Sequence, residues 1–254
     1  MSEEIVYQKP NCLLPLSNGF CPGCMHALAT KLIAEAIDDL DIADHVINVL
    51  PVGCSTMNSL YWKLDMITAA HGRAPAVATG IKRCRPDCMV FTYQGDGDLA
   101  SIGLSEILMA ANRGEHITIF FANNSTYGMT GGQMAPTTLV GQKSTTCIYG
   151  RDPDTMGYPL KMCELIKELD APVYVARFAL NNPGNIRKAK AGIKKAMENQ
   201  AKGYGFSFVE LLTNCPTNWH MKPVQTLDFI TNETSKYFPL GVYVDKTPKE
   251  GEAS

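Results

Sequence analysis

The sequence predicts an α/β fold built on a single doubly wound, mostly parallel β-sheet. Short apolar runs that are rich in β-branched and aromatic residues alternate along the chain with segments of helical periodicity. Two of these runs enclose one helical segment, which is the pattern of a βαβ unit. A chain of 254 residues that is 45% hydrophobic and 19% charged can also bury one large core.

The predicted elements follow one another in a regular order. Apolar residues at helical spacing predict a helix over residues 26–40, and an apolar run predicts a strand over residues 45–52. The central βαβ unit of roughly 35 residues has strands over 88–93 and 117–122, joined by a helix from Leu99 to a stop at Gly114. The remaining predicted elements are a helix at 160–169, a strand at 173–178, a helix at 185–201, a strand at 206–212 and a closing segment at 241–243.

We expect these elements to form one domain over residues 1–254. It includes an N-terminal segment with a Cys-x-x-Cys sequence at about residues 12–24 and ends in a short tail over about residues 244–254. A long stretch rich in Gly, Pro and Thr lies between residues 128 and 159. Loops of this length inside a compact domain are usually functional, so we interpret it as a cover over a cofactor or as a subunit contact. A surface insertion is the alternative.

Composition argues against several kinds of partner and environment. The net charge of −2 argues against a nucleic acid partner, and no stretch approaches the roughly 20 apolar residues that a membrane span needs. The chain begins with polar residues and carries nine cysteines without an apolar signal segment. A secreted disulfide framework is therefore not expected, and a reducing, cytoplasmic setting fits better.

Polar residues follow both strands of the predicted βαβ unit. GDGD occupies residues 95–98 after the first strand, and two asparagines occupy residues 123–124 after the second. The carboxyl ends of parallel strands meet at one edge of a sheet, so Asp96 and Asn124 are expected to converge. Mg²⁺ prefers such oxygen ligands, while the glycines and the start of a helix at Asp98 would let main-chain N–H groups approach a diphosphate. The alternative is a strand-turn-helix elbow whose aspartate only caps the helix.

These residues carry a family resemblance. GDG followed after about 25 residues by NN resembles the motif of thiamine diphosphate enzymes. The sequence YGMTGGQ at residues 127–133 is similar to the thiamine-diphosphate-binding β subunit of 2-oxoacid:ferredoxin oxidoreductases, of the 2-oxoisovalerate or 2-oxoglutarate type. The resemblance extends over about residues 19–243 and includes the segments 21–24, 71–76, 78–82 and 215–218. It implies the diphosphate-binding type of α/β domain.

The resemblance implies which residues hold thiamine diphosphate and Mg²⁺. The implied Mg²⁺ ligands are Asp96, Asn124 and the main-chain carbonyl of Thr126. The residues implied to line the diphosphate or lie against the cofactor are Gly53, Cys54, Ser55, His71, Gly95, Gly97, Asp98, Gly128 and Met129. His71 is also the one candidate catalytic residue, although the residues alone favour a histidine at a turn or helix end without a ligand.

The cysteines predict a second site. Cys21 and Cys24 lie on one tight turn, while Cys54 and Cys215 each follow a predicted strand. From the residues alone, four thiolates could hold Zn²⁺ or a [4Fe–4S] cluster, and a lone Cys-x-x-Cys could be a redox pair. The resemblance implies one [4Fe–4S] cluster on Cys21, Cys24, Cys54 and Cys215, close to the thiamine. Cys12 is a possible rival ligand. The cysteines interpreted as non-ligands are Cys84, Cys88, Cys147 and Cys163.

The resemblance also implies an activity and partners. The activity is oxidative decarboxylation of a 2-oxoacid (2-oxoisovalerate, another branched-chain 2-oxoacid or 2-oxoglutarate) with coenzyme A to acyl-CoA, CO₂ and reduced ferredoxin. The pyrimidine-binding domain that supplies an activating glutamate would need roughly another 150 residues, so it is expected on a separate α subunit. Further γ and δ subunits are also implied. The alternatives are a non-oxidative thiamine diphosphate decarboxylase or synthase subunit and a zinc-stapled structural subunit.

Overall fold

The computed structural model describes residues 7–248, and in this part of the chain seven strands form one sheet. The strands are β1 (Val46–Leu50), β2 (Asp65–Thr68), β3 (Met89–Gly95), β4 (Thr118–Asn123), β5 (Tyr174–Ala179), β6 (Ser207–Leu212) and β7 (Gly241–Asp245). Their order across the sheet is β2-β1-β3-β4-β6-β5-β7. Every neighbouring pair is parallel except β5 and β7, so the predicted mostly parallel α/β sheet is confirmed.

Helices connect these strands. Within the described residues they are α1 (His26–Asp39), α2 (Ala74–Cys84), α3 (Leu104–Asn112), α4 (Pro153–Met156), α5 (Met162–Ile166), α6 (Pro183–Ala201), α7 (Pro216–Trp219), α8 (Pro223–Phe229) and α9 (Ser235–Tyr237). A 3₁₀ segment spans Cys54–Leu60, and a π-helical segment at Asp98–Ile102 leads into α3. The GDGD sequence therefore ends in a wide helical turn, which places main-chain N–H groups at the edge of the sheet.

The core consists of two apolar layers, one on each face of the sheet. Alternate residues of the central strands enter different layers: Phe91 and Phe120 face α1 and α6, while Val90 and Phe121 face α2, α3 and α5. All six residues of β4 are buried. Strands that are covered on both faces lose the alternation of polar and apolar residues, and this is why they were recognisable as continuous apolar runs.

Several elements of the described chain did not stand out in the sequence, among them β2, α2 and the short helices α4, α7, α8 and α9. β2 lies at the edge of the sheet and is mostly exposed, so it carries no apolar run. α2 packs through the small side chains of Ala74 and Ala78, so it contains no run of large apolar residues. The predicted helix at 160–169 is shorter in the structure, where α5 spans five residues. At the C-terminus β7 continues to Asp245, and residues 249–254 of the predicted tail lie outside the described residues.

A buried ion pair ties the central strands together below the carboxyl edge. The fully buried side chain of Arg177 on β5 lies 2.8 Å from Oε2 of the equally buried Glu210 on β6, and 2.6 Å from Oε2 of Glu164. Asn123 at the end of β4 donates through Nδ2 to Oε1 of Glu210 at 2.8 Å. The network therefore connects β4, β5 and β6 with α5 at the point where the polar edge begins.

Replacing Arg177 by methionine is expected to reduce the free energy of unfolding by about 3–5 kcal/mol, because it leaves the carboxylate of Glu210 buried without its partner. Urea unfolding followed by circular dichroism measures the difference. Arg85→Met is the matched control, since Arg85 pairs with Asp87 on the surface and its removal should leave unfolding nearly unchanged. Equal stability of the two variants would contradict a structural role for the network.

Candidate active site

Three oxygen atoms converge at the carboxyl edge of β3 and β4. The register pairs Gly95 with Ala122, so Asp96 and Asn124 both lie just beyond the carboxyl ends of neighbouring strands. The side-chain oxygen of Asn124 lies 3.2 Å from Oδ1 of Asp96 and 2.8 Å from the main-chain oxygen of Thr126. Ser125 between them has a φ of 58°, a left-handed conformation that turns the chain back on itself. The structure thus brings together all three predicted Mg²⁺ ligands.

Acceptor oxygens that face one another repel unless a proton or a cation lies between them. One resolution is rotation of the Asn124 amide, which would point its N–H groups at Asp96 and Thr126. The other is a bound cation. Adjacent ligands of Mg²⁺ held at 2.0–2.1 Å in an octahedron lie about 2.9 Å apart, which is close to the two separations observed. The donor set therefore fits a magnesium ion without rearrangement of the main chain.

Asp96 is buried, and it is held by groups from three parts of the chain. Thr137 donates its hydroxyl to Oδ2 at 2.6 Å, while the main-chain N–H groups of Gly97 and Thr126 donate at 2.9 and 3.2 Å. Burial nevertheless outweighs these hydrogen bonds and raises the pKa of Asp96 to about 7. Thr137 belongs to the long loop at 128–159, so this loop closes over the carboxylate. A buried acid of this kind is a common feature of functional sites.

A cavity of about 100 Å³ opens beside this carboxylate. Of the residues predicted to bind Mg²⁺, diphosphate or cofactor, all except Ser55 line it: Gly53, Cys54, His71, Gly95, Asp96, Gly97, Asp98, Asn124, Thr126, Gly128 and Met129. Ser55 is buried within the 3₁₀ segment, and its Oγ has no hydrogen-bond partner in the described part of the chain. Val52 and Met129 at the cavity are half exposed. The cavity is therefore open to the surface on an apolar side.

Asp98 lines this cavity, but other groups engage its carboxylate. Oδ1 accepts a hydrogen bond from the N–H of Gly72 at 2.8 Å and contacts Nδ1 of His71. Oδ2 accepts from Nε2 of Gln94, whose Oε1 in turn accepts from Thr92 at 2.8 Å. Because Asp98 holds Nδ1, the second ring nitrogen of His71 remains for the cavity. Sequence reasoning missed Gln94, which lies in no recognisable motif, and gave no role to Gly72, although Gly72 follows His71 in the segment 71–76.

The four predicted cluster ligands line a second cavity of about 200 Å³. Cys21 and Cys24 lie on a tight turn closed by a 3.0 Å hydrogen bond from the N–H of Cys24 to the carbonyl of Cys21. Burial, reinforced by the neighbouring thiolates, raises the pKa of Cys24 to about 11 and that of Cys54 to about 12. These thiols hold their protons at neutral pH, and only a bound metal would displace them.

The four cysteines Cys21, Cys24, Cys54 and Cys215 line one common cavity. Within residues 7–248, no three His, Cys, Asp or Glu side chains converge closely enough to hold a single metal ion. The thiols instead line the cavity of about 200 Å³. The other cysteines lie elsewhere: Cys12 is buried with Sγ 3.5 Å from the carbonyl of Ala34, and none of the predicted non-ligands lines this cavity.

The two cavities share a wall. The residues that line both are His26, Cys54, Asn124, Gly128 and Met129. Burial lowers the pKa of His26 to about 4, and its Nδ1 lies 2.7 Å from the hydroxyl of Tyr93 on β3. Sequence reasoning missed His26, because a lone histidine at the start of an amphipathic helix gives no signal of its own. A group bound in one cavity would therefore lie next to a group bound in the other.

A parallel sheet that gathers an aspartate and an asparagine beside a glycine-lined cavity defines a thiamine-diphosphate-binding domain. Comparison with known proteins agrees, because the family model for the thiamine pyrophosphate enzyme, C-terminal TPP binding domain, matches residues 51–211. More narrowly, the chain belongs to the family of thiamine-diphosphate-binding β subunits of 2-oxoacid:ferredoxin oxidoreductases.

Two similar proteins support this membership. Subunit VorA of the ketoisovalerate oxidoreductase of Methanothermobacter thermautotrophicus is 48% identical over 242 residues, which cover 95% of this chain and 51% of that subunit. Subunit KorB of the 2-oxoglutarate synthase of Methanocaldococcus jannaschii is 37% identical over 218 residues, which cover 83% of this chain and 76% of that subunit. The chain thus spans about half the length of VorA.

The fold is also similar to that of a 2-oxoglutarate:ferredoxin oxidoreductase from Magnetococcus marinus, whose structure has 2-oxoglutarate, coenzyme A and succinyl-CoA bound. The TM-score is 0.78 at 24% identity, with 96% of this chain and 87% of that chain covered. At this identity the likeness supports the fold alone. None of the helices found in residues 7–248 has the length and apolar character of a membrane span.

Proposed function

We propose that this chain is the β subunit of a 2-oxoacid:ferredoxin oxidoreductase that binds Mg²⁺-thiamine diphosphate and one [4Fe–4S] cluster. With a partner α subunit it converts a 2-oxoacid and coenzyme A to acyl-CoA, CO₂ and reduced ferredoxin. The single observation that carries the proposal is the wall shared by the two cavities, because a thiamine and a cluster bound there would be neighbours. Electrons could then pass between them without a further carrier.

The magnesium assignment rests on the three facing oxygens. Asp96, Asn124 and the carbonyl of Thr126 would hold the ion, and the diphosphate would complete its coordination. Gly95, Gly97 and Gly128 leave main-chain groups accessible at the cavity, while the π-helical turn that follows directs N–H groups toward an anion. The residues present therefore fit this cofactor.

The cluster assignment rests on the common cavity that the four thiols line. A zinc ion would draw its four sulfurs to within about 3.8 Å of one another, whereas a [4Fe–4S] cluster carries its ligands on the corners of a cube and needs more space. Thiols that line a cavity of about 200 Å³ favour the cluster. Cys12 is not proposed as a ligand, because its sulfur contacts the main chain of α1.

When bound, thiamine diphosphate supplies an electron sink for decarboxylation, and the cluster supplies a one-electron acceptor. The residues of this chain bind and orient these groups. His71 is the candidate for proton exchange, since its free ring nitrogen remains for the cavity while Asp98 fixes the other one. Asp98 would thus act through His71 and would not contact the diphosphate, whose negative charge it would repel.

The substrate and partners are proposed from the relatives. VorA, named for ketoisovalerate, is more similar to this chain than KorB, named for 2-oxoglutarate, so a branched-chain 2-oxoacid is the first substrate to test. Both relatives are named as subunits, in agreement with a separate α subunit that supplies the activating glutamate. We also propose γ and δ subunits and ferredoxin as the further partners.

The proposal is tested on the native complex purified without oxygen. Iron, sulfide, zinc and thiamine diphosphate are measured per chain, and the absorption near ~400 nm is followed as 2-oxoisovalerate and coenzyme A are added. About four irons in this chain and bleaching by the substrate are expected. Zinc without iron would overturn the proposal in favour of the structural subunit, and iron that substrate never reduces would favour a non-oxidative enzyme.

Gly97→Ala tests whether the diphosphate loop needs its glycine. A Cβ atom at residue 97 would lie 2.4 Å from the ring of Tyr127, so the loop must move. We expect at least tenfold weaker binding of Mg²⁺-thiamine diphosphate, measured by titration calorimetry, with the fold retained. Gly80→Ala in α2 is the control, because a Cβ there meets nothing within 4 Å and should leave binding unchanged. Unchanged binding by Gly97→Ala would exclude this loop from the cofactor site.

A further inference from the structure

We propose that the side-chain amide of Asn218 couples the two cofactor sites, so that binding of thiamine diphosphate changes the reduction potential of the cluster. This inference rests on the proposed function, and it adds to it a positioning residue and a form of regulation. The amide donates from Nδ2 to the carbonyl of Gly128 at 2.9 Å and to Sγ of Cys215 at 3.3 Å. Its two hydrogens therefore link a cofactor loop and a cluster ligand.

The fold holds Asn218 in this position. α7 begins at Pro216, directly after Cys215, and its first turn brings the amide back over the sulfur. On the other side the loop packs against Asn218: a Cβ atom on Gly132, whose φ is 85°, would lie 3.0 Å from Cβ of Asn218. Asn218 cannot shift relative to this loop without losing that contact.

The loop itself lies against the sulfurs. A Cβ atom on Gly128 would be 3.1 Å from Sγ of Cys54 and 3.7 Å from Sγ of Cys215. The next residue of α7, Trp219, donates from Nε1 to the carbonyl of Asn124 at 3.0 Å, so the helix also reaches a proposed Mg²⁺ ligand. A small movement of the loop on cofactor binding would therefore alter the hydrogen bond to Cys215.

Hydrogen bonds to cluster sulfurs set the reduction potential, because reduction adds negative charge that a nearby N–H group stabilises. Loss of the bond from Asn218 should thus make the cluster harder to reduce. If cofactor binding alters this bond, thermodynamic linkage requires that the oxidised and reduced forms bind thiamine diphosphate with different affinities. The ratio of the affinities must equal the change in the equilibrium constant of reduction.

The first experiment is a redox titration of the native complex, monitored by electron paramagnetic resonance, with and without Mg²⁺-thiamine diphosphate. In Asn218→Ala and Asn218→Asp we expect a tenfold less favourable reduction, which is about 59 mV for one electron, and loss of the cofactor-dependent shift that the wild type shows. Asn232→Ala is the control, because Asn232 is exposed on the surface. Clusters on other subunits serve as internal references.

A second experiment needs no variant. Affinity for Mg²⁺-thiamine diphosphate is measured calorimetrically in the oxidised and the dithionite-reduced wild-type complex, and unequal values are expected. Equal affinities, or variants that titrate like the wild type, would overturn the coupling while iron and thiamine remain bound and the proposed function stands. A complex without iron would overturn both.

Discussion

Replacing Asp96 by asparagine is expected to weaken Mg²⁺-dependent binding of thiamine diphosphate at least 100-fold, while the iron content of the complex stays unchanged. Asp96 supplies the only full negative charge among the three facing oxygens, and Mg²⁺ depends on such a carboxylate together with phosphate oxygens. Asparagine keeps the shape of the side chain but removes this charge. Calorimetric titration of the oxidised complex with thiamine diphosphate and Mg²⁺ measures the loss.

The same substitution should not destabilise the metal-free protein. Since burial raises the pKa of Asp96 to about 7 from an ordinary value of 3.8, the folded chain holds a proton that the unfolded chain releases. This contribution to stability is complete below pH 3.8 and is lost as the pH rises toward 7. Metal-free wild type should therefore lose stability over this range relative to Asp96→Asn, as measured by thermal unfolding at several pH values.

Asp87→Asn is the control, because the Asp87 carboxylate is exposed on the surface and pairs with Arg85. It should bind the cofactor like the wild type. Full affinity in Asp96→Asn would remove Asp96 from the metal site, and a pH profile identical to that of the wild type would show that its carboxylate is already ionised in the folded chain.

The position of Asp96 and Asn124 followed from the sequence because local patterns decide it. Strands covered on both faces are continuous apolar runs, and a parallel crossover brings their carboxyl ends to one edge of the sheet. The sequence alone did not indicate how the oxygens face one another. The facing of the oxygens depends on the left-handed conformation of Ser125. Serine seldom adopts this conformation, so the sequence does not predict it.

Contacts made by chain segments that return from a distance were not predictable. Thr137 reaches Asp96 only because the long loop folds back over the edge, and Asn218 reaches Gly128 only because β6 ends beside β4. Whether His71 belongs to the site could not be decided from the sequence for the same reason. Its role in the site depends on Asp98, 27 positions along the chain, whose remaining oxygen is held by Gln94. Motifs locate the ligands, whereas the groups that orient them depend on tertiary structure.

Cys54→Ser is expected to remove most of the iron from this chain and to leave affinity for Mg²⁺-thiamine diphosphate within a few-fold of the wild type. Serine has nearly the same shape, but its hydroxyl is a poor replacement for a thiolate toward iron. The cavity wall at residue 54 is thereby preserved while one of the four proposed ligands is lost. Iron and sulfide analysis of the anaerobic complex, together with the calorimetric titration, separates these two effects.

Cys12→Ser is the matched control. Cys12 is also buried, yet its sulfur contacts the carbonyl of Ala34 in α1 and it is not among the residues that line the thiol cavity. It should retain the full iron content. The reverse pattern, with iron retained in Cys54→Ser and lost in Cys12→Ser, would transfer the ligand to Cys12 and would require the N-terminal segment to move toward the cavity.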